Sequence, residues 1–153
     1  MRRRTQKAVF AAFNKRKGIT MNNYLEPHLT DELREISTLA LAHIGDSVFE
    51  LMVRTHLCIN GVWTAERLHK HSVEYVSAKS QAAAAEKLLL MFDDEEMEIY
   101  KRGRNTHSGQ TPKSSTQEQY NAATGLETLF GYLYLNGRNK RLNELFSVVI
   151  QRD

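Results

Sequence analysis

The chain is poor in cysteine, proline and tryptophan: one cysteine, two prolines and one tryptophan in 153 residues. A single cysteine, Cys58, excludes an internal disulfide and a cysteine-based zinc site. A buried, inert thiol is the expectation for it, and such usage suits a reducing compartment. No apolar run approaches the ~18 residues that a membrane span needs, so no membrane partner is expected. The six histidines lack metal-ligand spacing. His69 and His71 are two apart, and on a helix they point to different sides. Nothing alternates with period two, and there is no internal repeat, so the expected fold is all-α within one domain.

Charge is unevenly spread. The formal net charge is +3, but Arg2, Arg3, Arg4, Lys7, Lys15, Arg16 and Lys17 fall in the first twenty residues, which hold no acid. Without those seven, fourteen basic residues face eighteen acids, a balance of −4. Any nucleic-acid surface must therefore be local. Residues 1–20 read as a basic, flexible extension outside a 21–153 domain. Three readings stay open for it: an arm that touches phosphates, a targeting-like leader, or an upstream extension before Met21. No catalytic role is expected there. Its apolar centre, Ala8 to Phe13, is too short for a secretory signal.

Two apolar, small-residue-rich stretches stand out. Leu39 to Leu51 reads LALAHIGDSVFEL, and between Glu35 and Glu50 its one formally charged side chain is Asp46. Such a helix should bury almost every side of itself, and a lone carboxylate there is costly to desolvate without a cation. Gln119 to Gly137 reads QYNAATGLETLFGYLYLNG, with Glu127 as its one charge. Ala42 and Gly45 precede Asp46, while Ala122, Ala123, Gly125 and Gly131 flank Glu127. Small residues let two helices cross closely enough to bring both carboxylates to one ion. Mg²⁺ takes carboxylate oxygens and keeps several waters. For either acid alone, a capped or merely exposed carboxylate is an equal reading; the pairing favours the shared ion.

The other elements follow from caps and turns. Thr30 can cap a short helix over Asp31 to Glu35, and Ser37 or Thr38 can cap a helix running to about Leu57, ended by Asn60-Gly61. Leu68 to about Leu90 has helical propensity with a break near Ser77-Ala78. Asp93, Asp94, Glu95 and Glu96 read as a solvated, acidic first turn of a helix reaching Arg102. Gly103 to Ser115 reads as a polar loop, followed by a helix over Thr116 to Asn136. A last amphipathic helix spans Arg141 to Ile150, with Leu142, Leu145, Phe146 and Val149 on one face. Lys101, Arg102, Arg104 and Lys113 bracket the polar loop among hydroxyl side chains, a composition suited to phosphate oxygens. A solvated surface loop is the competing reading. Lys79 is a weaker candidate for the same role.

At these residues the chain resembles a known family. Ile44-Gly45-Asp46-Ser47-Val48-Phe49-Glu50 resembles the signature helix of ribonuclease III, and Glu127 to Leu135 resembles its second acidic helix. Leu39 to Asp46, Val76-Ser-Ala-Lys-Ser-Gln81, Lys101-Arg-Gly-Arg-Asn105 and Thr111-Pro-Lys113 resemble the Mini-ribonuclease III branch, a catalytic domain without a double-stranded-RNA-binding domain. The resemblance covers about residues 22–150. It implies an all-α helical bundle forming a homodimer, each subunit cutting one strand of double-stranded RNA with Mg²⁺. It further implies trimming of ribosomal RNA precursors, chiefly of the large subunit, in the bacterial cytoplasm or, as second choice, a chloroplast. Asp46 and Glu127 would be the catalytic and metal-binding acids, and Arg102, Arg104, Lys113, Lys101 and Lys79 the RNA contacts. The family's further acids fall at Ala42, Leu39 and Thr124, so water, Thr124 or substrate phosphate would complete the metal shell. Two alternatives stay open: a catalytically inactive RNA-binding relative, or a helical interaction module.

Overall fold

The computed structural model describes residues 23–106 and 109–151. The basic extension over 1–20 lies outside them. Among the described residues six α-helices follow one another: α1 (Thr38–Ile59), α2 (Ala65–Val76), α3 (Ala78–Leu88), α4 (Asp94–Arg104), α5 (Gln117–Leu135) and α6 (Asn139–Val149). Short 3-10 turns over Asp31–Arg34 and Leu89–Met91 complete the element list, and no strand occurs among the described residues. The all-α expectation holds.

Local chemistry sets most boundaries. Ser37 Oγ accepts the Ala40 N–H at 3.2 Å, so Ser37 starts α1. Asn60 ends it, and Gly61 turns the chain at a φ of 87°. Ser77 has ψ 147°, which closes α2, while its Oγ accepts from the Ser80 N–H and opens α3. Asp93 and Glu96 form a capping box on α4, and Thr116 and Gln119 form another on α5. Thr30 differs from expectation. Its side chain makes no cap, and the segment after it is a single 3-10 turn.

The centre of the bundle is α5, which packs against α1, α3, α4 and α6. It buries Ala123, Thr124, Gly125, Leu126, Thr128, Leu129, Phe130, Gly131 and Leu133, residues pointing all round its axis. Helix α1 does not do this. It buries Leu41, Ala42, Gly45, Phe49, Val53 and Leu57 and leaves Ile44, Leu51 and Ile59 exposed. The expected all-round burial of α1 fails because one of its faces has no described neighbour. Cys58 is on that outer side and is exposed, contrary to expectation. Phe49 sits between Phe130 and Phe146, edge-on at centroid distances of 5.3 and 6.0 Å.

Glu96 also departs from its expectation. It is fully buried, although its three acidic neighbours are exposed. Arg141 Nε and one of its terminal nitrogens donate to the two Glu96 oxygens at 2.8 and 2.9 Å, and Arg138 adds a contact at 3.3 Å. A buried carboxylate needs such partners. The ion pair ties the start of α4 to α6.

Candidate active site

The site depends on how closely α1 and α5 approach. A Cβ on Gly45 would lie 1.7 Å from the Glu127 carbonyl oxygen, and one on Gly131 would lie 2.0 Å from the Leu41 carbonyl oxygen. Backbone touches backbone at this crossing, so only glycine fits at either position. Asp46 follows Gly45 directly, and Glu127 is one turn before Gly131. The crossing therefore sets the two acids on one cleft of about 170 Å³. Leu39, Ala42 and His43 of α1 and Tyr120 and Thr124 of α5 complete its walls.

The two carboxylates differ in environment. Asp46 stays exposed on the rim, and Glu127 is half-buried. Burial, and then the Asp46 charge, push the Glu127 carboxyl up to about 7. The Gln81 carboxamide facing it counters part of that rise. Its Nε2 nonetheless makes no hydrogen bond of normal geometry. Desolvation followed by the Glu50 charge raises Asp46, and His43 opposes this. No Lys or Arg lines the cleft among the described residues. Two repelling acids with hard oxygen donors and no Lys or Arg beside them suit a divalent cation. Thr124 lines the cleft, and its Oγ1 donates to the Tyr120 carbonyl at 3.0 Å, so the hydroxyl oxygen keeps its acceptor capacity. No group of three or more His, Cys, Asp or Glu is gathered for a metal among the described residues.

Sequence reasoning picked out both acids but overlooked His43 and Gln81. His43 is three residues before Asp46 on the same helix, so its spacing was a usable signal. Gln81 gave no such signal, because its approach to Glu127 depends on how α3 packs on α5. The basic candidates stand outside the cleft. Lys101, Arg102, Arg104, Lys113 and Lys79 are all exposed, and none lines it. Gly103, expected in a loop, lies inside α4, where a Cβ would meet Thr128 Oγ1 at 2.3 Å. That contact seats the basic end of α4 against the same part of α5 that carries Glu127.

The ribonuclease III domain model matches residues 39–138, which hold both acids and the crossing. A Mini-ribonuclease 3 of Clostridium tetani is 36% identical over 126 residues, covering 82% of this chain and 83% of that one. The chain belongs to the Mini-ribonuclease III family. A Mini-ribonuclease 3 of Desulfitobacterium hafniense is 42% identical over 118 residues, covering 77% of this chain and 74% of its own. Among solved structures, a crystal structure of a Fusobacterium nucleatum protein superposes with a TM-score of 0.71 at 30% identity. It covers 79% of this chain and 97% of that one. The ribonuclease III-type fold is thereby shown, and membership of the Mini-ribonuclease III family makes the chain an endoribonuclease, a hydrolase of phosphodiester bonds.

Proposed function

We propose that this Mini-ribonuclease III cleaves double-stranded RNA as a homodimer, with Mg²⁺ held by Asp46 and Glu127. The observation that carries the reading is the glycine crossing, which sets two acids on one cleft whose described lining holds no Lys or Arg. When bound, the ion supplies a water of lowered pKa and offsets charge on the phosphoryl group. Asp46 and Glu127 bind and orient it, each from its own helix. Ala42 and Leu39 present no oxygen where further acids would stand, which leaves shell positions to water, Thr124 and the scissile phosphate. Apo affinity for Mg²⁺ is therefore weak, and a tight apo titration would refute that. His43 faces Asp46 and opposes its protonation. Cleavage leaves 5′-phosphate and 3′-hydroxyl ends.

Arg102, Arg104 and Lys113, with Lys101 and Lys79, hold the RNA backbone outside the cleft. They read shape, since double-stranded RNA offers phosphates and 2′-hydroxyls across a shallow minor groove. The homodimer reading rests on the outer face of α1. Leu51, 61% exposed, separates two grooves of about 370 and 330 Å³. Ile44, Val48 and Leu142 line the first, and Ile59, Phe146 and Ile150 the second. An apolar strip along one helix, with Asp46 on the same helix, suits a self-complementary contact that sets two acid clefts at a fixed spacing. Trimming of large-subunit ribosomal RNA precursors in the bacterial cytoplasm is the cellular role we assign.

The test is cleavage of a long double-stranded RNA with Mg²⁺, beside Asp46→Asn and an EDTA control. Metal-dependent cutting lost in the variant supports the reading. Binding without cutting across Mg²⁺ concentrations would overturn it in favour of a protein that only binds RNA.

A further inference from the structure

We infer that Gln81 is a positioning residue of the acid site, its buried carboxamide holding the Glu127 carboxylate in the orientation a divalent cation requires. The inference rests on the metal reading above. Gln81 is 2% exposed, one turn into α3, where its own N–H donates to the Ser77 carbonyl at 2.9 Å. The rest of that buried face is apolar: Ala82, Ala84, Ala85 and Leu88. A hydrophobic side chain at 81 would match its neighbours, yet an amide stands there. Among the described residues, its Nε2 is the one buried side-chain nitrogen or oxygen without a hydrogen-bond partner. An unpaired buried donor is unfavourable, and the group it faces is Glu127.

An ionised carboxylate is acceptor-only, with about four lone-pair sites over two oxygens. A cation in the cleft would be held through some of these sites, and the others would be open to a donor from the protein. Gln81 is on the side of Glu127 that faces α3, and it carries two N–H groups. Carboxylates that bind metals are themselves held by such outer partners. Only two carboxylates line the cleft, so the orientation of each matters more.

The experiment is melting temperature against Mg²⁺ concentration for the full chain, starting in EDTA. Wild type, Gln81→Met, Gln81→Leu and Glu127→Gln are compared. Met keeps the unbranched shape, and Leu offers a second filler should Met fold poorly. Stabilisation by a ligand follows its concentration relative to Kd, so millimolar affinities are readable. The expected result is an unchanged or higher metal-free Tm for the Gln81 variants, since the unpaired donor is gone. Their half-saturating Mg²⁺ should rise by roughly tenfold. Glu127→Gln should lose the saturable Mg²⁺ shift. A wild-type Mg²⁺ dependence in both Gln81 variants, whatever their metal-free Tm, would make Gln81 a packing residue and overturn the inference while leaving the metal site standing. No difference between wild type and Glu127→Gln in Mg²⁺ response would overturn both.

Discussion

Glu127 and Glu96 are two acids in one bundle with opposite solutions to burial. Glu127 has no cationic partner, and its carboxyl is pushed up to about 7. Its folded pKa is thus above its unfolded value, so the stability its neutral form contributes is complete below pH ~4.5 and lost as pH rises through about 7. In EDTA, Glu127→Gln should therefore gain on wild type across that window, by about 2 kcal/mol at pH 8. Urea denaturation at several pH values checks this. On the proposed metal role, Mg²⁺ competes with the same proton, so its half-saturating concentration should fall between pH 6 and 8. Glu96, by contrast, is held by Arg141 through two hydrogen bonds. Arg141→Ala leaves the buried Glu96 only Arg138 and the Asp93 N–H and should cost about 3 kcal/mol, again by urea denaturation. The isolation of Asp46 and Glu127 was legible in the sequence, because each is the sole charge in a long apolar stretch. The burial of Glu96 was not. It sits in an acidic run, and its partners are more than forty positions further along the chain.

At the scale of elements, helix starts were the legible part. Ser37 caps its helix as expected and Thr30 does not, while Asp93 and Thr116, expected as the first residues of their helices, stand just before them as caps. The break at Ser77 is where the sequence put it, because a serine there can end one helix and cap the next. Which helix would be central was not legible. Helices α1 and α5 are similarly apolar and similarly rich in small residues, and only the count of neighbours around each decides the matter. Their glycines are legible as permission for a close crossing but not as its location. The location makes a sharp prediction. Gly45→Ala drives a methyl group into the Glu127 carbonyl and should cost 3 kcal/mol or more, beyond the roughly 1–3 kcal/mol of ordinary overpacking. Chemical denaturation measures it. In any folded fraction, Mg²⁺ stabilisation should fall with it, because the same shift separates the two acids.

For the whole molecule, the exposed outer face of α1 and the exposed basic end of α4 make separate predictions. Leu51→Lys should leave the melting temperature of the single chain nearly unchanged, since the residue is 61% exposed. It should turn the proposed homodimer into a monomer in analytical ultracentrifugation. Arg102→Ala with Arg104→Ala should weaken RNA binding and flatten its dependence on salt, with the slope falling by about one to two counterions. Binding measured at several salt concentrations gives that slope. Neither surface follows from overall charge. The net +3 arises from the first twenty residues, and the remainder is acidic.

The glycine crossing has a further consequence for when the enzyme exists at all. Asp46 and Glu127 are eighty-one positions apart, and each helix supplies one of them. A growing chain that has emerged through α4 holds half of the acid pair and lacks the helix around which the bundle forms. On the roles proposed for these two acids, cutting is off until α5 leaves the ribosome and docks on α1. A nuclease built this way is harmless to the RNA that surrounds it throughout most of its own synthesis.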